Sequence, residues 1–176
     1  MTNHTTLILG GIRSGKSRLA EKLALESGLS VSYIATATAE DEEMQARIAA
    51  HRLHRPSNWH LVEEPLQLAS AMREHATTGH CIIVDCLTLW LTNLLTADDE
   101  AAFEHEYATL LDTLPQLPGQ IILVGNETNM GIIPLGELSR RFCDQSGRLH
   151  QELAQICERV ILTIAGLPMV LKEGPC

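Results

Sequence analysis

Short apolar runs recur along this chain, and the stretches between them carry helical spacing. Thr5 to Leu9 is the first run, rich in β-branched and aliphatic residues, and predicts a strand. Leu19, Ala20, Leu23 and Ala24 then repeat at helical intervals, which predicts a helix over about Lys16 to Glu26 that stops near Gly28. Ser30 to Ala37 predicts a second strand ending in small residues, which leave room for a ligand at the carboxyl edge of a sheet. Thr38-Ala39-Glu40-Asp41 has the form of a capping box and opens a helix through about Leu53. Trp59 to Glu63 alternates polar and apolar residues as a short strand does, and Pro65 to His75 predicts an amphipathic helix with Leu66, Ala69 and Met72 on one side. Two cysteines, Cys81 and Cys86, flank the next apolar run, which ends in Asp85.

Leu87, Leu91, Leu94 and Leu95 surround Trp90 at helical spacing, as core packing requires, and Asp98 to Leu114 is a further amphipathic helix. Gln120 to Gly125 is another buried strand. A long helix is expected from about Leu135 to Arg159, interrupted near Ser146-Gly147, with a stripe of Leu138, Phe142, Leu149, Leu153 and Ile156. Val160 to Ala165 closes the strands, with Leu167 to Leu171 expected as an antiparallel edge hairpin beside it. Strands alternate with helices, and no repeat or linker intervenes. The pattern predicts one α/β domain over residues 1–176, a mostly parallel central sheet flanked by helices.

Composition narrows the function classes. Hydrophobic content of 45% and a mean hydropathy near zero fit a soluble globular domain, and no apolar run approaches the roughly 20 residues of a membrane-spanning helix. The N-terminus lacks the basic start and apolar stretch of a signal peptide. A formal charge of −9 argues against a general nucleic-acid surface, because phosphate neutralisation needs clustered Lys and Arg. The clusters that do occur, Arg47, Arg52 and Arg55, then Arg140, Arg141 and Arg148, suit a small phosphorylated ligand. Five cysteines with no C-x-x-C pair form neither a disulfide framework nor a zinc knuckle, which places the chain in a reducing cytoplasm.

The candidate chemistry begins at Gly10-Gly11-Ile12-Arg13-Ser14-Gly15-Lys16-Ser17. This is the phosphate-loop pattern G-x-x-x-x-G-K-[ST], in the strand–loop–helix context that the pattern requires. Glycines let successive backbone N–H groups curl around one phosphate chain, Lys16 reaches the terminal phosphates, and the Ser17 hydroxyl can ligate Mg²⁺. Asp85, at the end of an apolar strand, is in the position from which such enzymes hold the same ion. Asn126 and Glu127 sit where a strand runs into a loop, a common place for binding residues. His51 shares a helical stripe with Met44, Ile48 and Arg55, and from spacing alone it reads as a packed core imidazole. Arg52 and Arg55 are equally well explained as a solvated face or as phosphate contacts. His51 and His54 lack a third ligand at recognisable spacing, which leaves zinc unsupported.

Together the glycine loop, Tyr33-Ile34-Ala35-Thr36-Ala37, Arg47 to Pro56, Val84 to Asn93, Asn126 to Pro134 and Asp144 to Arg148 resemble the bifunctional adenosylcobinamide kinase/adenosylcobinamide-phosphate guanylyltransferase family of cobalamin biosynthesis. The resemblance covers nearly the whole chain and implies a RecA-like P-loop NTPase fold. It implies phosphorylation of adenosylcobinamide from ATP or GTP, then transfer of GMP from GTP through a covalent histidine intermediate. In the R-x-x-x-H-x-x-x-R-P segment that histidine maps onto His51, with Lys16 beside it in catalysis. Nucleotide contacts map onto Gly10 to Ser17, Ala35, Thr36, Ala37, Arg52, Leu53, His54, Arg55, Glu63 and Asp85, and Mg²⁺ onto Ser17 and Asp85. The resemblance also implies a homotrimer acting on adenosylcobinamide and adenosylcobinamide phosphate. The chain departs from the family pattern at Asn129, where a glycine is usual, and at His150, where asparagine is frequent. Two other functions stay compatible with the phosphate loop: a small-molecule kinase without nucleotidyl transfer, and a nucleotide-binding regulatory module. The absence of an N-K-x-D guanine-reading segment counts against the second.

Overall fold

The computed structural model describes residues 4–38 and 56–174. Strand β1 (His4–Gly10) leads through the glycine loop into α1 (Lys16–Ser27), and β2 (Ser30–Ala35) follows. After residue 55 come β3 (His60–Glu63), α2 (Leu68–His75), β4 (His80–Asp85), α3 (Leu87–Thr96) and α4 (Glu100–Thr113), then a short 3-10 turn. The chain ends with β5 (Gln120–Asn126), α5 (Glu137–Ile156), β6 (Arg159–Ile164) and β7 (Leu167–Glu173).

Among the described residues the strands form one sheet in the order β3-β2-β4-β5-β1-β6-β7. All neighbours are parallel except β6 and β7, the expected antiparallel edge pair. Successive strand residues face opposite sides, and each side has its own core. Leu7, Leu9, Ile82, Val84, Ile121 and Leu123 pack toward the helices that carry Trp90, Phe103 and Tyr107. Their neighbours Ile8, Cys81, Ile83, Ile122 and Val124 pack with Ala20 and Ala24 of α1. A sheet covered on both faces explains why its strands read as near-continuous apolar runs rather than alternating ones. The order places β5 between β1 and β4, and Gly10 pairs in register with Asn126. The carboxyl ends of these three strands therefore open on one crevice.

Four expectations change. The helix expected from Pro65 begins at Leu68, and Leu66 is exposed. The Glu64 carboxylate accepts from the Leu66 and Gln67 N–H groups, while the Leu66 and Pro65 carbonyls accept from Trp90 Nε1 and Asn93 Nδ2. Those bonds hold residues 64–67 outside the helix. The long helix is not interrupted at Ser146-Gly147: α5 is continuous, with Ser146 buried and Gly147 so close to Asn129 that an added Cβ would lie 3.1 Å from its amide nitrogen. Gly147 serves close approach there, not a break. Leu138, placed on the apolar stripe, is half exposed. Cys81 lies inside β4 rather than flanking it, fully buried, and burial pushes its thiol up to about 12. The helix expected through Leu53, with His51, falls outside the described residues.

Candidate active site

The glycine loop owes its shape to backbone that only certain residues adopt. Gly15 stands at φ 98° and Arg13 at φ 56°. Gly10 is closed in by β6: a Cβ there would lie 2.4 Å from the Thr163 carbonyl and 2.6 Å from Ser14 Oγ. No side chain would fit. Ser14 is buried and its hydroxyl meets Thr163 Oγ1 at 2.9 Å, while Thr163 Oγ1 also donates to the Leu9 carbonyl at 3.1 Å. The β6–β7 turn closes the other side, since Gly166 N–H donates to the Ser14 carbonyl at 3.0 Å. The edge hairpin thus buttresses the loop.

Helix α1 opens at Gly15 with no side-chain cap. By contrast, α4 is capped by the Asp99 carboxylate, which accepts from Ala102 N–H. Uncapped first-turn N–H groups at a glycine loop form an anion site, with the helix dipole adding positive potential. Lys16 is buried at the same end and its ammonium donates to the Gly11 carbonyl at 2.7 Å. Burial lowers the Lys16 pKa, and the Asp85 charge works against that by favouring the ammonium.

Across the crevice, the Thr36 hydroxyl ties the segments that follow β2 and β4, just beyond the end of their parallel ladder. Thr36 Oγ1 donates to the Cys86 carbonyl at 2.7 Å and accepts from Cys86 N–H at 2.9 Å. Asn93 Nδ2 donates to the Thr36 carbonyl at 2.8 Å from α3. The Cys86 thiol is pushed up to about 11, chiefly by burial, which leaves it protonated and unreactive near neutral pH. Asp85 accepts from the Tyr33 hydroxyl at 2.8 Å. Register sets Glu63, Ala35 and Asp85 in one row at the carboxyl ends of β3, β2 and β4.

The structure therefore gathers Gly10 to Ser17, Ala35, Thr36, Ala37, Glu63 and Asp85 at one edge of the sheet. His51, Arg52, Leu53, His54 and Arg55 lie outside the described residues. Ser17, in the first turn of α1, and Asp85 offer one hydroxyl and one carboxylate. That hard-oxygen set suits Mg²⁺, which keeps waters and substrate phosphates as its other ligands. No group of three or more His, Cys, Asp or Glu side chains able to hold a metal occurs among the described residues.

Sequence reasoning missed the residues that support this edge: Thr163, Thr88, Asn93 and Tyr33. Thr88 Oγ1 accepts from the Asn126 N–H at 2.7 Å. Tyr33, Thr88 and Asn93 lie in segments that carry the family resemblance, but no role attaches to them there; Thr163 stands in no motif, and a threonine in a strand is already explained by β-propensity.

The comparisons fit this geometry. The family profile described as cobinamide kinase / cobinamide phosphate guanyltransferase matches residues 6–171. The bifunctional adenosylcobalamin biosynthesis protein CobP of Pseudomonas aeruginosa is 62% identical over 169 residues, covering 96% of this chain and 98% of its own. The proteins named CobU from Escherichia coli and Salmonella typhimurium are each 36% identical over 179 residues, covering 94% of this chain and 98% of their own. A crystal structure of the RadB recombinase superposes with a TM-score of 0.51 at 15% identity, over 90% of this chain and 73% of that one, and shares the fold alone. With a complete phosphate loop facing a strand-terminal aspartate, and with matches along nearly all of its length, the chain belongs to the cobinamide kinase / cobinamide phosphate guanyltransferase family.

Proposed function

We propose that this chain phosphorylates adenosylcobinamide from ATP or GTP, then transfers GMP from GTP to the phosphate just made by way of a covalent intermediate on His51. The observation that carries the reading is the crevice where the glycine loop faces Asp85 across the Asn126 end of β5, in a chain of this family. In the first step the substrate hydroxyl oxygen attacks the γ-phosphorus, the bond to the β–γ bridging oxygen breaks, and the nucleoside diphosphate leaves. The N–H groups of the loop and α1, with Lys16, stabilise charge on the phosphate oxygens as it shifts. In the second, a ring nitrogen of His51 attacks the α-phosphorus of GTP and pyrophosphate leaves. A phosphate oxygen of the substrate then displaces His51, which regains its neutral form. A neutral imidazole suits that role because its unperturbed pKa is about 6.5.

Arg52 and Arg55 would hold phosphate oxygens by bidentate contacts, with Leu53, His54 and Glu63 around the nucleotide. Ser17 and Asp85 would hold Mg²⁺, which supplies charge neutralisation on the phosphate oxygens when bound. Among the described residues no helix is long and apolar enough to cross a membrane; the cysteine usage of the sequence supports a cytoplasmic enzyme. A homotrimer follows from the family resemblance, and the exposed Leu167, Met169 and Leu171 of the edge strand β7 offer apolar surface for such an assembly. Light scattering measures it.

Product analysis tests the two-step reading. With GTP and adenosylcobinamide, both GDP and pyrophosphate should form, and only pyrophosphate should form with adenosylcobinamide phosphate. GDP without pyrophosphate would mean a kinase alone. Slow hydrolysis indifferent to cobinamide would mean a regulatory module.

A further inference from the structure

The turn after β5 is fastened on both sides of the crevice. Asn126 N–H donates to Thr88 Oγ1 at 2.7 Å, on the Asp85 side. Glu127 N–H donates to the Gly10 carbonyl at 2.9 Å, at the first residue of the phosphate loop. The Glu127 side chain then turns inward, where one carboxylate oxygen accepts from Asn129 N–H at 2.8 Å. Its other oxygen lies 3.6 Å from Nδ1 of His150, beyond hydrogen-bond length but close enough for a small shift to close.

His150 is an unusual residue for the middle of α5. It is 8% exposed, and its Nδ1 is buried without a hydrogen-bond partner. The ring lies against the β5 backbone: a Cβ on Gly125 would stand 3.2 Å from Nε2. Burial favours the neutral ring, against the pull of the Glu127 charge. A neutral ring carries one N–H, and the Glu127 carboxylate is the acceptor beside Nδ1. Asn129 Nδ2 completes the contact with α5 by donating to the Cys143 carbonyl at 3.1 Å.

We infer that Glu127 and His150 are a positioning pair for phosphoryl transfer, in which a hydrogen bond from His150 Nδ1–H to Glu127 fixes the Asn126–Asn129 turn against Gly10. This rests on the kinase reading above. The pair touches no phosphate; it acts through Gly10 and Asn126, which frame the terminal end of the triphosphate. The ground-state grip belongs to the loop N–H groups and Lys16, which the pair leaves in place. Its effect is therefore expected in kcat and not in KM for the nucleotide, because alignment of the terminal phosphorus is felt mainly in the transition state.

The test measures kinase-step kinetics of Glu127→Ala, His150→Leu, the double variant and His150→Asn, each checked for folding by denaturant midpoint. Asparagine places an amide N–H near the position of the imidazole Nδ1, so His150→Asn should stay within roughly threefold of the parent kcat, while Glu127→Ala and His150→Leu should each lose roughly tenfold or more with KM for GTP little changed. The double variant should lose no more than the worse single one, as two members of one interaction do. Additive losses, a rise in KM at constant kcat, or a His150→Asn as impaired as His150→Leu would overturn the pair. Should His150→Leu fail to fold, Glu127→Ala with His150→Asn still decides the matter. A parent enzyme that consumes GTP without regard to cobinamide would instead defeat the kinase reading itself.

Discussion

The two walls of the crevice are built on different plans. The phosphate-loop wall is a mesh: Gly10, Ser14 and Gly15 are held by Thr163 and Gly166 of the β6–β7 hairpin and by Glu127 after β5, two other segments of the chain. The β2–β4 wall is a regular parallel ladder whose end is finished by one buried hydroxyl, that of Thr36, which serves both the N–H and the C=O of Cys86. The mesh must hold several N–H groups at one phosphate chain, and small displacements would spoil them all. The second wall must hold one carboxylate, Asp85, and one hydroxyl with one tyrosine suffices. Displacement of the glycine loop itself should therefore appear in nucleotide binding, and damage to the second wall in stability.

The largest effect is expected at Gly10. A Cβ there would press within 2.4 Å of a backbone carbonyl, and neither the strand nor the loop can yield cheaply. Gly10→Ala should cost about 1–3 kcal/mol through overpacking, and the loop, being the less supported side, should be what moves. GTP affinity by calorimetry should then fall at least roughly tenfold. Unchanged affinity would show that the mesh tolerates displacement.

Thr36→Val comes next. It keeps the shape but leaves the buried N–H of Cys86 without a partner, while the Cys86 carbonyl still accepts from Trp90 N–H at 3.2 Å; the expected cost is about 1–3 kcal/mol. The denaturant midpoint should drop with its slope unchanged, while GTP affinity moves less than for Gly10→Ala. The reverse order of effects would erase the contrast between the walls.

The smallest expected effect is a dependence on pH. His150 supports the mesh and its pKa is lowered in the fold, so the unfolded chain binds its proton first as pH falls. The stability that comes from keeping this ring neutral is complete above about pH 6.5 and drains away below it, at up to about 1.4 kcal/mol per pH unit. His150→Asn should remove that part of the slope. Thr36 and Asn93, which support the other wall, do not titrate, so Thr36→Val should leave the slope as it is.

Legibility in the sequence follows the same division. The glycine loop could be read because its backbone geometry admits few residues and so leaves a pattern. The parallel sheet could be read because strands covered on both faces become apolar runs. Asp85 could be read from its place at a strand end and from the segment Val84 to Asn93 that resembles the family. The roles of the supports were not visible: Thr163, Thr88 and Asn93 act through contacts distant in sequence, and although Thr88 and Asn93 lie in a segment that resembles the family, nothing in that segment says what they hold. The stretch at Pro65–Gln67 misled for a related reason. Its apolar spacing is helical, but hydrogen bonds from Trp90 and Asn93 decide its course. Gly147 misled in the opposite way, because a helical glycine signals either a break or a close approach, and only the position of Asn129 tells which.

The central claim is that one chain carries both transfers, with His51 as the carrier of GMP. The direct test is the intact mass of the protein after incubation with GTP and Mg²⁺. A single GMP adduct should form on the parent chain and be absent from His51→Ala. No adduct on the parent, or an adduct that survives His51→Ala, would contradict the account.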